Sequence, residues 1–505
     1  MPVTALGDML EKGQRIEGHR PYPRANISAA AWQLAAQHLA EGRLTLLSLW
    51  GEPAAVSIAV LGEAPGEAAV LTLECAEGRF ASIGRLHPPA QRLERTVRDL
   101  FGLEAEGLPD TRAWLDHGRW GIARPLGDAG EGPGPTAYAF LPAEGESLHQ
   151  IPVGPVHAGI IEPGHFRFTA NGETVVRLEE RLGYAHKGIE GLMRGADIAR
   201  AARLAGRTSG DSTVAYAFAF ARAVEAALGI EVPRRGQWLR ALMAELERLA
   251  NHFGDIGAIC NDASFSLLHA HFGVLREHTL RAAEACFGHR LMRDCVQPGG
   301  VAEDLPKDGA AVLKTYLEET KRRFPSLVAL YDRKASLQDR TVGTGILRPA
   351  LARQFGAGGY VGRASGRGFD VRKDLPYAPY DSLNLEVPVL EQGDVNARVW
   401  IRIREVEQSL ELVGRILEGL PAGTVQAGPI GPGDGSGEGM ALVEGFRGDV
   451  LVWLRLEAGK ITRCHLRDPS WFQWPLLEAA IEGNIVADFP LCNKSFNCSY
   501  SGHDL

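Results

Sequence analysis

The spacing of apolar and polar residues changes period several times along the chain, and each change marks an element. His165-Phe166-Arg167-Phe168 and Thr174-Val175-Val176-Arg177-Leu178 read as two strands joined at Asn171-Gly172. Asn-Gly between two such runs is a strong hairpin signal. Upstream, Leu44 to Trp50, Ala54 to Leu61 and Ala68 to Cys75 read as strands separated by Gly and Pro turns, with helices at Ala29 to Leu39 and Ala90 to Phe101. Residues 1–123 therefore read as a small α+β domain. From about residue 190 to 340 the period lengthens to that of helices, and Trp238 to Phe253 carries apolar residues at helical spacing. Gly299-Gly300 predicts a tight turn, because glycine reaches positive φ at little cost. Gly393 to Val413 reads as a last long helix, and Glu444 to Trp474 as a strand pair ending in a turn. Residues 124–150, rich in Gly, Pro and acid, suit a linker, and 421–439 a flexible loop.

Composition narrows the function classes. The 505 residues are 45% hydrophobic and 23% charged, as in soluble globular proteins of two to four domains. A formal net charge of -8 argues against nucleic acid as a partner. No apolar run is long enough to span a bilayer, and the first twenty residues lack the apolar core of a signal peptide. A cytoplasmic protein, or one held at a membrane through partners, is expected. The 7 cysteines are scattered and form no CxxC pair, so buried free thiols are expected rather than a disulfide framework. No GxGxxG in a strand–turn–helix context and no Walker A sequence occurs, since Gly459-Lys460 is followed by Ile461. Nucleotide binding is therefore excluded.

His157, His165 and His186 lie near the ends of the hairpin elements. Imidazole changes charge near neutral pH and so suits proton transfer and polar ligands, although each alone reads equally as a turn or cap residue. The blocks around them carry a resemblance. GPVH, GHFRF, the hairpin and GYAHKGIEGLM resemble the start of the large subunit shared by energy-converting nickel–iron hydrogenases of the hydrogenase-4 and formate hydrogenlyase type and by the quinone-facing hydrophilic subunit of complex I. ERTVRDLFGLEAEGLPDTR, 94–112, resembles the end of the smaller hydrophilic complex I subunit, here fused to the large one. MAELERLANHFGDIGAICND (243–262), the block 276–305, GRASGRGFDVRKDLPYAPYDSL (362–383) and the block 444–474 extend the match over nearly the whole chain. The resemblance implies an α+β N-terminal docking domain, a linker, and over 151–505 a mainly α-helical bundle with peripheral β-hairpins. It also implies an iron–sulfur cluster in a small partner subunit, antiporter-like membrane subunits, and a peripheral place on the cytoplasmic side of the inner membrane.

One element of the family pattern is missing. Its nickel–iron centre takes four thiolates, from Arg-x-Cys-Gly-x-Cys early and Asp-Pro-Cys-x-x-Cys late, because nickel needs soft, electron-rich ligands there. This chain reads Arg207-Thr208-Ser209-Gly210-Asp211-Ser212, and the late thiolate positions fall on Ser499 and Gly502. Cys498 stands one residue off and Cys492 lies upstream. A nickel–iron centre is not expected, and no metal ligand is assigned. In complex I the vacated cavity holds a quinone headgroup, with hydrogen bonds from a histidine and a tyrosine. His165 matches that histidine. The tyrosine position falls on or near Ser209, with Tyr216 a few residues on. His165, Ser209 and Tyr216 are thus the quinone-cavity candidates. His165, Asp211 and Arg363 are the catalytic candidates; Asp211 reads equally as a helix cap, and Arg363, with Asp370, Arg372 and Tyr377, as a loop ion-pair network. Glu245, Glu247, Arg248 and His252 share one helix; Glu247 and His252 could carry protons, while ion pairing is their more usual role. The function expected is that of a complex I-like oxidoreductase subunit. A redox-inactive scaffold of such a complex is the alternative.

Overall fold

The computed structural model describes residues 4–155, 162–428, 430 and 435–505. The N-terminal strands form a five-stranded sheet in the order Gln14–Arg15, Arg24–Asn26, Ala68–Glu74, Ala55–Leu61, Thr45–Glu52. The helix Ala29–Ala40 starts where Ser28 accepts the Ala31 N–H. The helix Gln91–Phe101 stops at Gly102, whose φ of +77° only glycine adopts easily. It packs against Thr45–Glu52 so closely that a Cβ on Gly51 would lie 2.6 Å from the Phe101 ring.

The hairpin forms with the expected ends, His165–Asn171 and Thr174–Arg181, and gains a third strand, Leu148–Val153. That strand begins inside the stretch whose composition suits a linker. The stretch is anchored to the fold: Arg112 and Arg181 lie over the Tyr138 ring at 4.8 and 4.4 Å, and Arg167 over Phe140 at 4.4 Å.

The helical region is built on Arg234–Asp262, which folds back onto Ser266–Phe287, with Gly309–Arg333 and Val395–Gly419 alongside. Gly299-Gly300 does turn, between the short strands Val296–Gln297 and Gly300–Val301, with φ of +89° and +156°.

The C-terminal strands depart from the expected peripheral hairpins. Gly437–Glu444, Asp449–Glu457 and Lys460–Arg467 form one sheet at the centre of the molecule, and His19–Arg20 joins it as a parallel edge strand. Leu442, Trp453, Leu454 and Leu466 are fully buried. One face meets the helix Thr213–Leu228, so closely that a Cβ on Gly439 would fall 1.9 Å from the Ala223 carbonyl oxygen. The N-terminal sheet also reaches this sheet, where Trp50 packs on Trp453 at 5.3 Å. A sheet covered on both sides needs near-continuous apolar strands rather than alternation, and Val450-Leu451-Val452-Trp453-Leu454 is such a run. The segment 444–474 ends in a helix, Ser470–Ile481, because Asp468 accepts the Ser470 N–H at 2.9 Å.

Buried polar bonds join the N-terminal sheet to the rest. Arg24 donates to Glu438 on the central sheet and to Glu52, Ser57 and Thr72 on its own. His465 stacks on Trp50 at 5.1 Å, with one ring nitrogen 2.8 Å from Ser48 Oγ and the other 2.8 Å from Glu190. Removing one partner of a buried ion pair leaves an uncompensated charge, so Arg24→Ala should lower unfolding stability by about 3–5 kcal/mol in chemical denaturation.

Candidate functional site

Two loops carry the site. Residues 206–212 connect the helices Ile198–Ala205 and Thr213–Leu228, and Asn497–Ser499 connects Phe489–Phe496 to Tyr500–Asp504. Asn497, with φ of +47°, ends the former helix and turns the chain back. Although 290 residues apart, Ser209 Oγ and Ser499 Oγ meet at 3.0 Å. Asp211 Oδ1 accepts hydrogen bonds from Ser209 (2.8 Å) and Ser212 (3.0 Å). Asp211 Oδ2 accepts from Arg447 Nη2 at 2.6 Å. Arg447 comes from the turn between two central strands, and it also donates to Ser212 Oγ at 3.3 Å and to the Asn497 carbonyl at 2.6 Å.

A second carboxylate closes the other side. Asp468 accepts from the Tyr216 hydroxyl at 2.8 Å. A Cβ placed on Gly502 would stand 2.3 Å from Asp468 Oδ2 and 2.8 Å from Ser499 Oγ. Ser499 Oγ accepts the Gly502 N–H at 2.9 Å and so caps the last helix. Burial works to raise the Asp211 pKa, but the Arg447 guanidinium and the two serine hydroxyls outweigh it and hold the carboxyl below its usual range. Burial, reinforced by Asp468, pushes the Tyr216 phenol well above its usual value. Cys492 and Cys498 are buried free thiols, both pushed up chiefly by burial. Among the described residues, no three His, Cys, Asp or Glu side chains are grouped to hold a metal.

Ser209, Asp211 and Tyr216 are thus brought into one site, Tyr216 through Asp468. His165 and Arg363 make their bonds elsewhere. Arg167 Nε donates to His165 Nε2 at 3.3 Å, so the imidazole proton sits on Nδ1, which donates to the Gly154 carbonyl at 3.1 Å. Both ring nitrogens are therefore engaged within the chain. Arg363 is fully buried and donates to Glu405 (2.8 Å), Glu444 (2.9 Å) and Asp370 (3.1 Å). Arg363 thus belongs to an ion-pair network with Arg372, Glu245 and His252, the other reading left open for it, and the arginine bonded at Asp211 is Arg447. His186 bonds the Asp504 carbonyl and stacks on Trp120. His157 lies outside the described residues. Arg447 and Asp468 escaped sequence reasoning because Asp211 and Tyr216, which they meet here, lie 236 and 252 residues away.

Residues 30–132 match the family described as respiratory-chain NADH dehydrogenase, 30 Kd subunit. Residues 187–254 match nickel-dependent hydrogenase, and 264–430 match respiratory-chain NADH dehydrogenase, 49 Kd subunit. Formate hydrogenlyase subunit 5 of Escherichia coli (strain K12) is 32% identical over 447 residues, covering 84% of this chain and 77% of that protein. The chain belongs to the large-subunit family of energy-converting hydrogenases and complex I. It is a fused member, with the 30 Kd-type and 49 Kd-type parts in one polypeptide, and so a hydrogenase-like and NADH–quinone oxidoreductase-like subunit of a membrane-associated oxidoreductase. The carbon monoxide-induced hydrogenase of Rhodospirillum rubrum is 33% identical and covers 70% of this chain and 98% of that protein. A chain of the membrane-bound sulfane sulfur reductase, an archaeal respiratory membrane complex, superposes with a TM-score of 0.67 at 26% identity, covering 71% of this chain and 99% of that one. No helix among the described residues of this family member is long and apolar enough to cross a membrane.

The Asp211–Arg447 pair sets a pH dependence. A depressed carboxyl pKa contributes stability that is present above the unfolded value of about 3.9 and is lost as pH falls through the folded value. Arg447→Ala should therefore destabilise the chain more near neutral pH than near pH 3, measured by denaturation at both, with Asp211's share of the effect reduced by its partial exposure to solvent.

Proposed function

We propose that this chain is the large subunit of a membrane-associated, complex I-like oxidoreductase and holds no nickel–iron centre of its own. One feature supports the reading: by the resemblance, the family's four thiolate positions fall on Ser209, Ser212, Ser499 and Gly502, and Asp211, Arg447 and Asp468 stand beside them. These residues do not fit a nickel–iron centre. Hydroxyl oxygen replaces soft sulfur at three positions. A guanidinium is bound against Asp211 and Ser212. The fourth position cannot carry a side chain unless Asp468 moves.

In this reading the hydroxyl pair and Asp211 form the acceptor side of a cavity that receives a polar quinone-type headgroup. Electrons arrive from an iron–sulfur cluster in a small partner subunit. His165 serves that cavity after giving up its bond to Arg167 or to the Gly154 carbonyl. The bundle then couples the redox step to antiporter-like membrane subunits, with the chain peripheral on the cytoplasmic side. A second reading, a redox-inactive scaffold, is favoured by two features: both His165 nitrogens are engaged within the chain, and Ser209 and Ser499 close on each other.

Metal analysis of the intact complex, purified through a tag on this chain, tests the first claim. Iron in multiples that suit iron–sulfur clusters, without stoichiometric nickel, is the expected outcome. Nickel near one per chain would overturn it. His165→Ala separates the two readings: the quinone-dependent signal of the complex falls by at least about tenfold if the imidazole binds the headgroup, a loss of about 1.4 kcal/mol, and is unchanged in a scaffold.

A further inference from the structure

Between the helices Arg234–Asp262 and Ser266–Phe287 lies a cleft of about 230 Å³. Exposed Gly210, Arg276 and Arg290, half-buried Asp211 and buried Glu247 are among the residues that line it. A liquid water occupies about 30 Å³, so the cleft has room for several. Glu247 is the unusual group in it. The buried carboxylates Glu245, Asp370 and Glu405 each have an arginine partner, as does the half-buried Asp211. The Glu247 oxygens instead accept only the Val214 and Ala215 N–H groups, at 2.6 and 3.0 Å, and no ion pair to it forms among the described residues.

We propose that Glu247 is a proton-exchanging carboxyl that links solvent in this cleft to Asp211 and, through it, to the Ser209–Ser499 hydroxyl pair. Glu247 and Asp211 both line the cleft, so water in it spans the step between their carboxyl groups. Asn251, on the same helix, donates to the Asp211 and Glu247 carbonyls and holds the two segments together. From Asp211 the chain continues through Ser209 Oγ at 2.8 Å to Ser499 Oγ at 3.0 Å. No electron moves in this step. The Glu247 carboxyl gives its proton to a cleft water, which gives one to Asp211. Asp211 gives one to Ser209 Oγ as Ser209 gives its own to Ser499 Oγ and Ser499 gives its own to the acceptor bound there, and solvent returns a proton to Glu247.

The charged groups around Glu247 permit this. Asp211 faces it from the preceding loop, and Arg248 on its own helix is turned to the Gly445 and Glu444 carbonyls. Across the cleft, Arg290 is paired with Glu277. Burial, with Asp211 adding to it against the two N–H groups, pushes the Glu247 carboxyl up to about 8. It can therefore hold or release a proton near neutral pH.

The inference deepens the proposed acceptor site, but its test needs no acceptor, so the two can fail separately. An infrared pH titration of the full chain should reveal a protonated-carboxyl C=O band that disappears as pH rises through about 8 and shifts promptly in deuterated water. Glu247→Gln should abolish the part of that band that titrates near 8, while Glu444 and Glu94, both pushed up to about 7 by burial, keep theirs. A Cβ on Gly210 meets no atom within 4 Å, so Gly210→Leu fills the cleft without strain and should slow the deuterium shift. If that part survives in Glu247→Gln, or exchanges in the native chain only on global unfolding, the proposal fails. Denaturation gives a second measure. A raised carboxyl pKa contributes stability that is complete below about 4 and is lost as pH rises through the folded value, and Glu247→Gln should flatten that loss.

Discussion

A guanidinium taken out of water must be paired on nearly every side, and this requirement holds the molecule together. Arg363 and Arg372 are buried and unable to lose their charge. Their partners come from the helix Arg234–Asp262 (Glu245), the helix Val395–Gly419 (Glu405), the central strand Gly437–Glu444 (Glu444) and their own loop (Asp370). Satisfying two arginines therefore fixes two long helices, a sheet and a loop relative to one another. With Arg248 included, three guanidiniums face four carboxylates, and the cluster relieves the imbalance at one point. Burial, aided by Asp370, raises the Glu444 pKa and favours a proton there. Burial keeps His252 neutral against Glu405, despite the carboxylate 2.7 Å away.

The Ser209 site follows the same rule on a smaller scale. In the metal-bearing pattern, four anionic sulfurs surround metal cations. Here a carboxylate meets a guanidinium at Asp211–Arg447, and a second carboxylate is held by the Tyr216 hydroxyl. The one guanidinium pairs with Asp211, and the serine hydroxyls bond to that carboxylate and to each other. Three contacts tie the two distant loops together: Ser209 to Ser499, Arg447 to the Asn497 carbonyl, and Ser499 to Ser470. The two loops thus meet in a polar junction of hydroxyls, carboxylates and one guanidinium.

The N-terminal part is built into the same body. His19–Arg20 extends the central sheet, Arg24 bonds Glu438, and Ser48 bonds His465. The resulting interface is buried and hydrogen-bonded, as in a domain interior, so the fused part braces the sheet that carries Arg447.

Local pattern determined much on its own. The Asn171-Gly172 hairpin, the N-terminal strands and the long helices were legible because their signals, turn chemistry and apolar period, act over a few residues. The absence of the thiolates was equally plain, since residue identity needs no structure. Placement of the C-terminal strands at the centre was not legible as such, because a run apolar on both faces does not say what covers it. The partners of Arg447 and Asp468, and the place of Glu247 at a cleft with no ion-pair partner among the described residues, were decided only by tertiary structure. Each depends on partners brought in from distant segments or on a cleft between two helices. A charged side chain's chemistry is set by which opposite charges reach it and how much water it loses, and neither is written in its neighbours along the chain.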